Sequence, residues 1–121
     1  DLRNANLSGT KLFRTSLIYV SLISTNLSGS DLSDANLSGA DLSGADLNGL
    51  KLIRTSLGST KLISTNLSGA DLSDAGLIMA DLSSAKLVGA DLMGVNAENL
   101  INCPSLLPKG WTCDDNSLKE E

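Results

Sequence analysis

Leucine recurs at every fifth position from Leu2 to Leu92, nineteen times without a break. Two residues before each leucine the side chain is small or β-branched (Ala5, Thr10, Thr15, Val20, Thr25, Ala35, Ala40), with Leu50 the one large exception. The residue just before each leucine is mostly Asp, Asn, Lys or Ser, and the two after it are mostly Ser, Gly, Asp or Arg. No helix can use this period. Five residues turn an α-helix through about 500°, so successive leucines step by ~140° and form no stripe. A flat strand fails too, because an odd period sends successive leucines to opposite faces. The conflict disappears if the chain turns a corner once every five residues. The leucine and the small residue two before it then both face inward, and the Gly and Ser after the leucine supply the corner. The chain is predicted to be a β-solenoid.

Self-similarity sets the size of the coil. Residues 11–50 align with residues 51–90 without gaps at 27 of 40 positions. A spacing of 40 is two coils of 20 and is not a multiple of 15, so four-sided coils fit and three-sided coils do not. On that register Lys11, Asp31, Lys51, Asp71 and Asp91 stack in one column, and Arg14, Asp34, Arg54, Asp74 and Gly94 in another. Coils lie about 4.8 Å apart, so opposite charges on neighbouring coils can pair, each exposed pair worth ~0–1 kcal/mol. The expected core includes Leu7, Leu12, Leu27, Leu42, Leu47, Leu67 and Leu82.

These units resemble the pentapeptide-repeat family, whose motif is Ala-[Asp/Asn]-Leu-x-x. Ala5-Asn6-Leu7, Ala35-Asn36-Leu37, Ala40-Asp41-Leu42, Ala45-Asp46-Leu47, Ala70-Asp71-Leu72, Ala80-Asp81-Leu82 and Ala90-Asp91-Leu92 match strictly, and looser units fill the gaps. The resemblance covers residues 1 to about 96 and is to members of the cyanobacterial type. It implies an all-β fold, a right-handed quadrilateral β-helix of about five coils, with a short irregular cap. It also implies local strain or a bulge at Leu50. Most members of the family have no assigned activity; some act in heterocyst development, and some sit in the thylakoid lumen or periplasm. A distinct branch mimics DNA and binds DNA gyrase. The resemblance therefore suggests a non-catalytic structural or protein-interaction module, one part of a larger exported or membrane-tethered protein, with a gyrase-binding DNA mimic as the alternative.

The residue inventory points away from catalysis. The chain has no His, so the usual general base and the commonest metal ligand are missing. No Gly-rich stretch has phosphate-loop spacing. The aspartates recur just before leucine and read as a solvated repeat face, and the Asn-Leu-Ser sequons fall out of the repeat grammar. No cofactor, metal or small-molecule substrate is expected, and the protein partner is left open. The formal net charge is −5, and residues 1–101 hold ten acids against seven bases. This excludes a basic nucleic-acid-binding surface, and the Lys and Arg within the acidic columns argue against a DNA mimic. No apolar run approaches ~18 residues, so no membrane span is expected. Nor is a signal peptide evident, although the sequence opens in mid-repeat. Phe13, Ile18, Tyr19 and Ile23 occupy outward positions near the first coils and form a candidate interaction patch. Ile53, Ile63, Ile78 and Met79 also point outward and read as scattered surface hydrophobes.

The repeat lapses at Ala97, where leucine is due. Residues 1–96 are read as the solenoid and 97–121 as a cap with an acidic tail. A solenoid's last coil exposes its core and a strand edge, so it needs covering. Leu106, Leu107 and Trp111 are the candidates, and residues 114–121 are expected to fray. Cys103 and Cys113 either form a disulfide, the preferred reading, or stay as buried thiols in the cytoplasm. The bridge would favour a periplasm or thylakoid lumen.

Overall fold

The computed structural model describes residues 1–121, and its backbone follows the five-residue period as a β-helix. Parallel bridges join residues twenty apart, from Asn6 with Asn26 to Gly76 with Asn96. Each of the first four sets of twenty residues contains four two-residue turns, one after each leucine, and residues 81–100 contain three. We number the coils from residues 1–20 (coil 1) to the one beginning at Asp81 (coil 5).

The unit from Asp41 to Asp46 shows why five residues suffice for a side and a corner. Leu42 N–H donates to Lys61 O at 2.8 Å and Gly44 N–H to Ile63 O at 2.8 Å, both in the next coil. Asp46 N–H donates back to Thr25 O at 3.0 Å, and Ala45 N–H closes the turn on Leu42 O at 2.9 Å. One donor is left, the Ser43 N–H, and Asp41 Oδ1 accepts it at 3.0 Å. Every backbone donor of the unit is matched, as a buried chain requires. The second turn residue carries the strain of the corner, with positive φ at Arg14 (58°), Tyr19 (57°) and Arg54 (53°) as well as at glycines.

Inside, Leu27, Leu42, Leu47, Leu67 and Leu82 are buried in one apolar cluster. Buried hydroxyls at the small-residue position are satisfied within their own turn or by the preceding coil: Thr60 Oγ1 donates to Leu57 O at 2.7 Å and Thr55 Oγ1 to Leu32 O at 2.8 Å. Two expectations need correction here. Leu7 and Leu12 are only partly buried, because within residues 1–121 coil 1 is packed by coil 2 alone; Leu2 in the same coil is 36% exposed, against 0% for Leu22 one coil higher. No bulge forms at Leu50 either. It is buried, its turn bond to Leu47 O is intact at 3.1 Å, and bridges continue on both sides of it. Its neighbours in the column are Ser30 and Ala70, small residues that leave the volume a leucine needs.

The ladder runs past Ala97. Asp81 pairs with Asn102, twenty-one residues on, and Lys86 pairs with Leu106, twenty on. One residue is thus gained near Ile101 and lost again before Leu106, a β-bulge in the last partial coil. Ala97 is buried in the position leucine holds elsewhere. The chain then leaves the ladder and forms an antiparallel hairpin of β1 (Trp111–Asp114) and β2 (Ser117–Glu120), with Trp111 opposite Glu120. The tail expected to fray is therefore a strand. Leu118 N–H donates to Ala97 O at 3.1 Å and Leu100 N–H to Asn116 O at 2.8 Å, so β2 is fastened to the last coil. The cap residues divide: Leu107 and Trp111 pack partly buried against the core, while Leu106 is 47% exposed. Leu106 sits in the outward, bridge-forming position, which turns its side chain away from the core. Leu118, passed over in the sequence, is the buried residue of the hairpin at 9% exposure. Cys103 and Cys113 are joined as a disulfide, tying the last partial coil to β1.

Candidate interaction surface

Along each coil the bridged stretches, here called sides, alternate with the two-residue turns, here called corners, and the sides are occupied mainly by turn chemistry. At ten units the Asp or Asn before the leucine accepts the N–H of the residue after it, as Asn36 does from Ser38 at 3.0 Å and Asp91 from Met93 at 3.0 Å. This is an Asx turn, which satisfies the one corner donor that the coils leave over. The aspartates are more than a solvated face. Serine hydroxyls at Ser43 and Ser73 add second bonds to the same carboxylates at 2.6 Å.

These bonds set the acid chemistry of the surface. The Ser33 hydroxyl and N–H hold the Asp31 carboxyl below its usual range. At Asp41 and Asp81 burial pushes upward, but the hydroxyl and N–H of Ser43 and of Ser83, together with Lys61 and, at Asp81, Asn102, bring the carboxyls below their usual range. The Arg54 guanidinium lowers Asp34 by direct bonding, with two contacts of 2.8 Å, and its own pKa is raised in return. The charged columns thus pair in part. Arg54 meets Asp34 and Lys61 meets Asp41 at 3.7 Å, while Lys11 and Lys51 form no ion pair.

The candidate patch does not lie on one face. Phe13 stands on one corner, Ile18 and Tyr19 on the next, and Ile23, half-buried, on the third. Only Ile18 and Tyr19 share a corner, where Tyr19 is 81% exposed. Its ring lies over Gly39 in coil 2, where a Cβ would collide with it. Further up this corner stand Ser38 and Gly39, then Gly58 and Ser59, then the exposed pair Ile78 and Met79. Two apolar pairs therefore flank a saddle of small residues, three coils or about 14 Å apart. A shallow cavity of about 250 Å³, lined by Ser38, Ser56, Gly58, Gly76 and Ile78, lies in the saddle. The adjoining side, Ser16, Asn36, Ser56, Gly76 and Asn96, carries no charge. Sequence reading placed Ile78 and Met79 among scattered hydrophobes. Their spacing of sixty from Ile18 and Tyr19, three whole coils, is the signal that joins them.

Comparison with known proteins agrees with this architecture. The profile of pentapeptide repeats matches residues 10–49, 40–77, 51–87 and 60–96, in eight copies. The chain belongs to the pentapeptide-repeat family. Among solved structures, this pentapeptide-repeat chain is similar to HetL, a pentapeptide repeat protein involved in heterocyst differentiation regulation, from the cyanobacterium Nostoc sp. strain PCC 7120. The two are 34% identical with a TM-score of 0.72, over 83% of this chain and 46% of HetL, so the chain spans under half of HetL's length. It is also similar to the pentapeptide repeat protein Rfr23 of Cyanothece 51142, at 27% identity and a TM-score of 0.62, over 88% of this chain and 90% of Rfr23. No match was found among proteins of curated function. No helix is long and apolar enough to cross a membrane.

Proposed function

We propose that this chain is a non-catalytic protein-interaction module, a right-handed quadrilateral β-helix that presents one corner to a protein partner. The observation that carries the reading is the corner itself. Ile18 and Tyr19 at one end and Ile78 and Met79 at the other enclose an uncharged saddle with a cavity of about 250 Å³. Exposed apolar and aromatic groups around a dehydratable centre are what protein interfaces use as anchors. The rigid coils hold those anchors at fixed spacing, so little conformational entropy is lost on docking. Cations within the acidic columns, with Arg54 on Asp34 and Lys61 on Asp41, give the surface an alternating charge rather than the uniform negative one that a gyrase-binding DNA mimic needs. The Cys103–Cys113 bridge favours an oxidising compartment, a periplasm or thylakoid lumen.

A photo-crosslinking residue at Ser59, in the saddle, tests the reading in the source cell. The expected result is a discrete protein adduct that disappears in the Tyr19→Ser, Met79→Ser double variant. The same probe at Ser28, on a different corner, should give none. Equal adducts at both positions, or none at Ser59, would count against the corner, and capture of gyrase would restore the DNA-mimic alternative.

A further inference from the structure

The cap leaves one side of the last coil uncovered in a specific way. One coil lower on the same side, Leu72 N–H donates to Asp91 O at 2.8 Å, Asp74 N–H donates to Met93 O at 2.8 Å, and Asp91 N–H donates to Ala70 O at 2.9 Å. The equivalent groups of coil 5 are Leu92 N–H, Gly94 N–H and Ala90 O, and none of the three meets a hydrogen-bond partner within the protein. The chain that would have supplied those partners turns away. Trp111 N–H, due to donate to Ala90 O, donates instead to Pro108 O at 3.2 Å, in a turn with Gly110 at φ 83°. A cavity of about 460 Å³ lies between residues 89–94 on one wall and Pro108, Lys109, Trp111 and Glu120 on the other. Leu92 is buried, so its N–H is a shielded donor without a partner, which is costly and rare in folded proteins.

We propose that this slot binds an extended segment of a partner protein that adds one strand to coil 5. The inference deepens the interaction-module reading above and rests on it, but uses a different surface. Strand addition to an exposed edge draws its affinity from main-chain hydrogen bonds and its selectivity from side chains at alternate positions. One residue of the segment donates its N–H to Ala90 O and accepts from Leu92 N–H, and the residue two further on accepts from Gly94 N–H. The first of these residues stacks on Asp91. Along that column Lys11, Asp31, Lys51 and Asp71 alternate in sign, and then Asp91 repeats the charge of Asp71 with no cation above it. Asp91 and Glu120 against Lys109 leave the walls with an excess of one negative charge. The segment therefore carries Lys or Arg over Asp91. An apolar residue follows, facing Leu92 beside the Trp111 ring.

The chain's own repeat supplies a probe with this pattern, a capped peptide of the sequence of residues 49–55, Gly-Leu-Lys-Leu-Ile-Arg-Thr. Added to the full chain, it should shift the emission of Trp111, the only tryptophan, and slow hydrogen exchange at the Leu92 and Gly94 amides. Methylating the backbone nitrogen of its Lys should weaken binding about tenfold, the scale of one lost buried amide–carbonyl hydrogen bond. Asp91→Lys places in coil 5 the residue that coils 1 and 3 already carry there. It should weaken the Lys peptide about tenfold and improve a peptide with Glu in place of Lys. The proposal is overturned if no peptide alters Trp111 or protects those amides. It is equally overturned if the amides gain protection with rising protein concentration alone, because the occupant is then a second copy. Tyr19→Ser, Met79→Ser should leave peptide binding unchanged, so failure here and failure of the corner reading are separable.

Discussion

Coil 1 and coil 5 are built from the same five-residue unit, yet within residues 1–121 coil 1 packs against a coil on one side only, while coil 5 packs against coil 4 and, over most of its other face, against a partial coil and a hairpin. In coil 1 Leu7, Leu12 and Leu17 are only partly buried and Leu2 is exposed. Coil 5 holds Leu82, Leu87 and Leu92 buried beneath a partial coil and a hairpin. A leucine here owes its burial less to its own unit than to the coil on either side. Stability in such a chain is carried by neighbour contacts, so identical substitutions should have unequal effects along the axis.

The largest contrast is therefore within the core. Leu47→Ala and Leu67→Ala, with coils on both sides, should each cost about 3–5 kcal/mol, and Leu7→Ala in the same 121-residue chain only about 1–2 kcal/mol because Leu7 is only partly buried there. Denaturant unfolding of the three variants measures this, and equal costs would mean that burial is set within the unit and not by stacking.

Second in size is the disulfide, which acts at the hairpin end alone. Reducing Cys103–Cys113 should cost about 2–3 kcal/mol, from freeing the loop between them. Trp111 emission should shift to the red as the hairpin loosens, while amide exchange around Leu42 stays slow. Loss of protection in both places would show that cap and coils unfold as one unit.

The smallest effect concerns the corners. Asp41→Ala removes the acceptor of the Ser43 N–H and should cost about 1 kcal/mol, as for a lost cap. Asp41→Asn keeps the turn, since Asn26 and Asn36 already close theirs in the same way. Asp31, Asp41 and Asp81 are depressed in the folded protein, so they add stability above their unfolded value of 3.8 that is lost as pH falls through the lower folded values. Stability should be level above about pH 5 and decline below about pH 4. A triple Asp→Asn variant should flatten that decline, and an unchanged acid profile would place the titration elsewhere.

Much of this molecule can be read from spacing. The leucine period fixes the inward set from Leu22 to Leu92, and the self-alignment at forty residues gives the coil of twenty later seen in the bridges. Both follow because every unit repeats the same local solution, so any error in register would be multiplied nineteen times. The role of the aspartates was less legible, since an Asx turn and a solvated carboxylate look alike in a sequence. Leu50 misled for a related reason, because its cost depends on Ser30 and Ala70, twenty residues away on either side.

The cap shows where the sequence stops and the tertiary structure decides. In Cys113-Asp114-Asp115-Asn116-Ser117-Leu118 the one hint of a hairpin is Asp115-Asn116, residue types that tolerate the positive φ of its turn (48° and 53°), and the charges around them suggest a loose tail. The strand exists because the last coil offers Ala97 O to Leu118 N–H and because Asn116 O can accept from Leu100 N–H. The slot beside Leu92 has the same origin, arising where the hairpin's path departs from the ladder. A repeat writes its fold locally and many times over. An end is made once, by groups distant in sequence that have only each other to satisfy them.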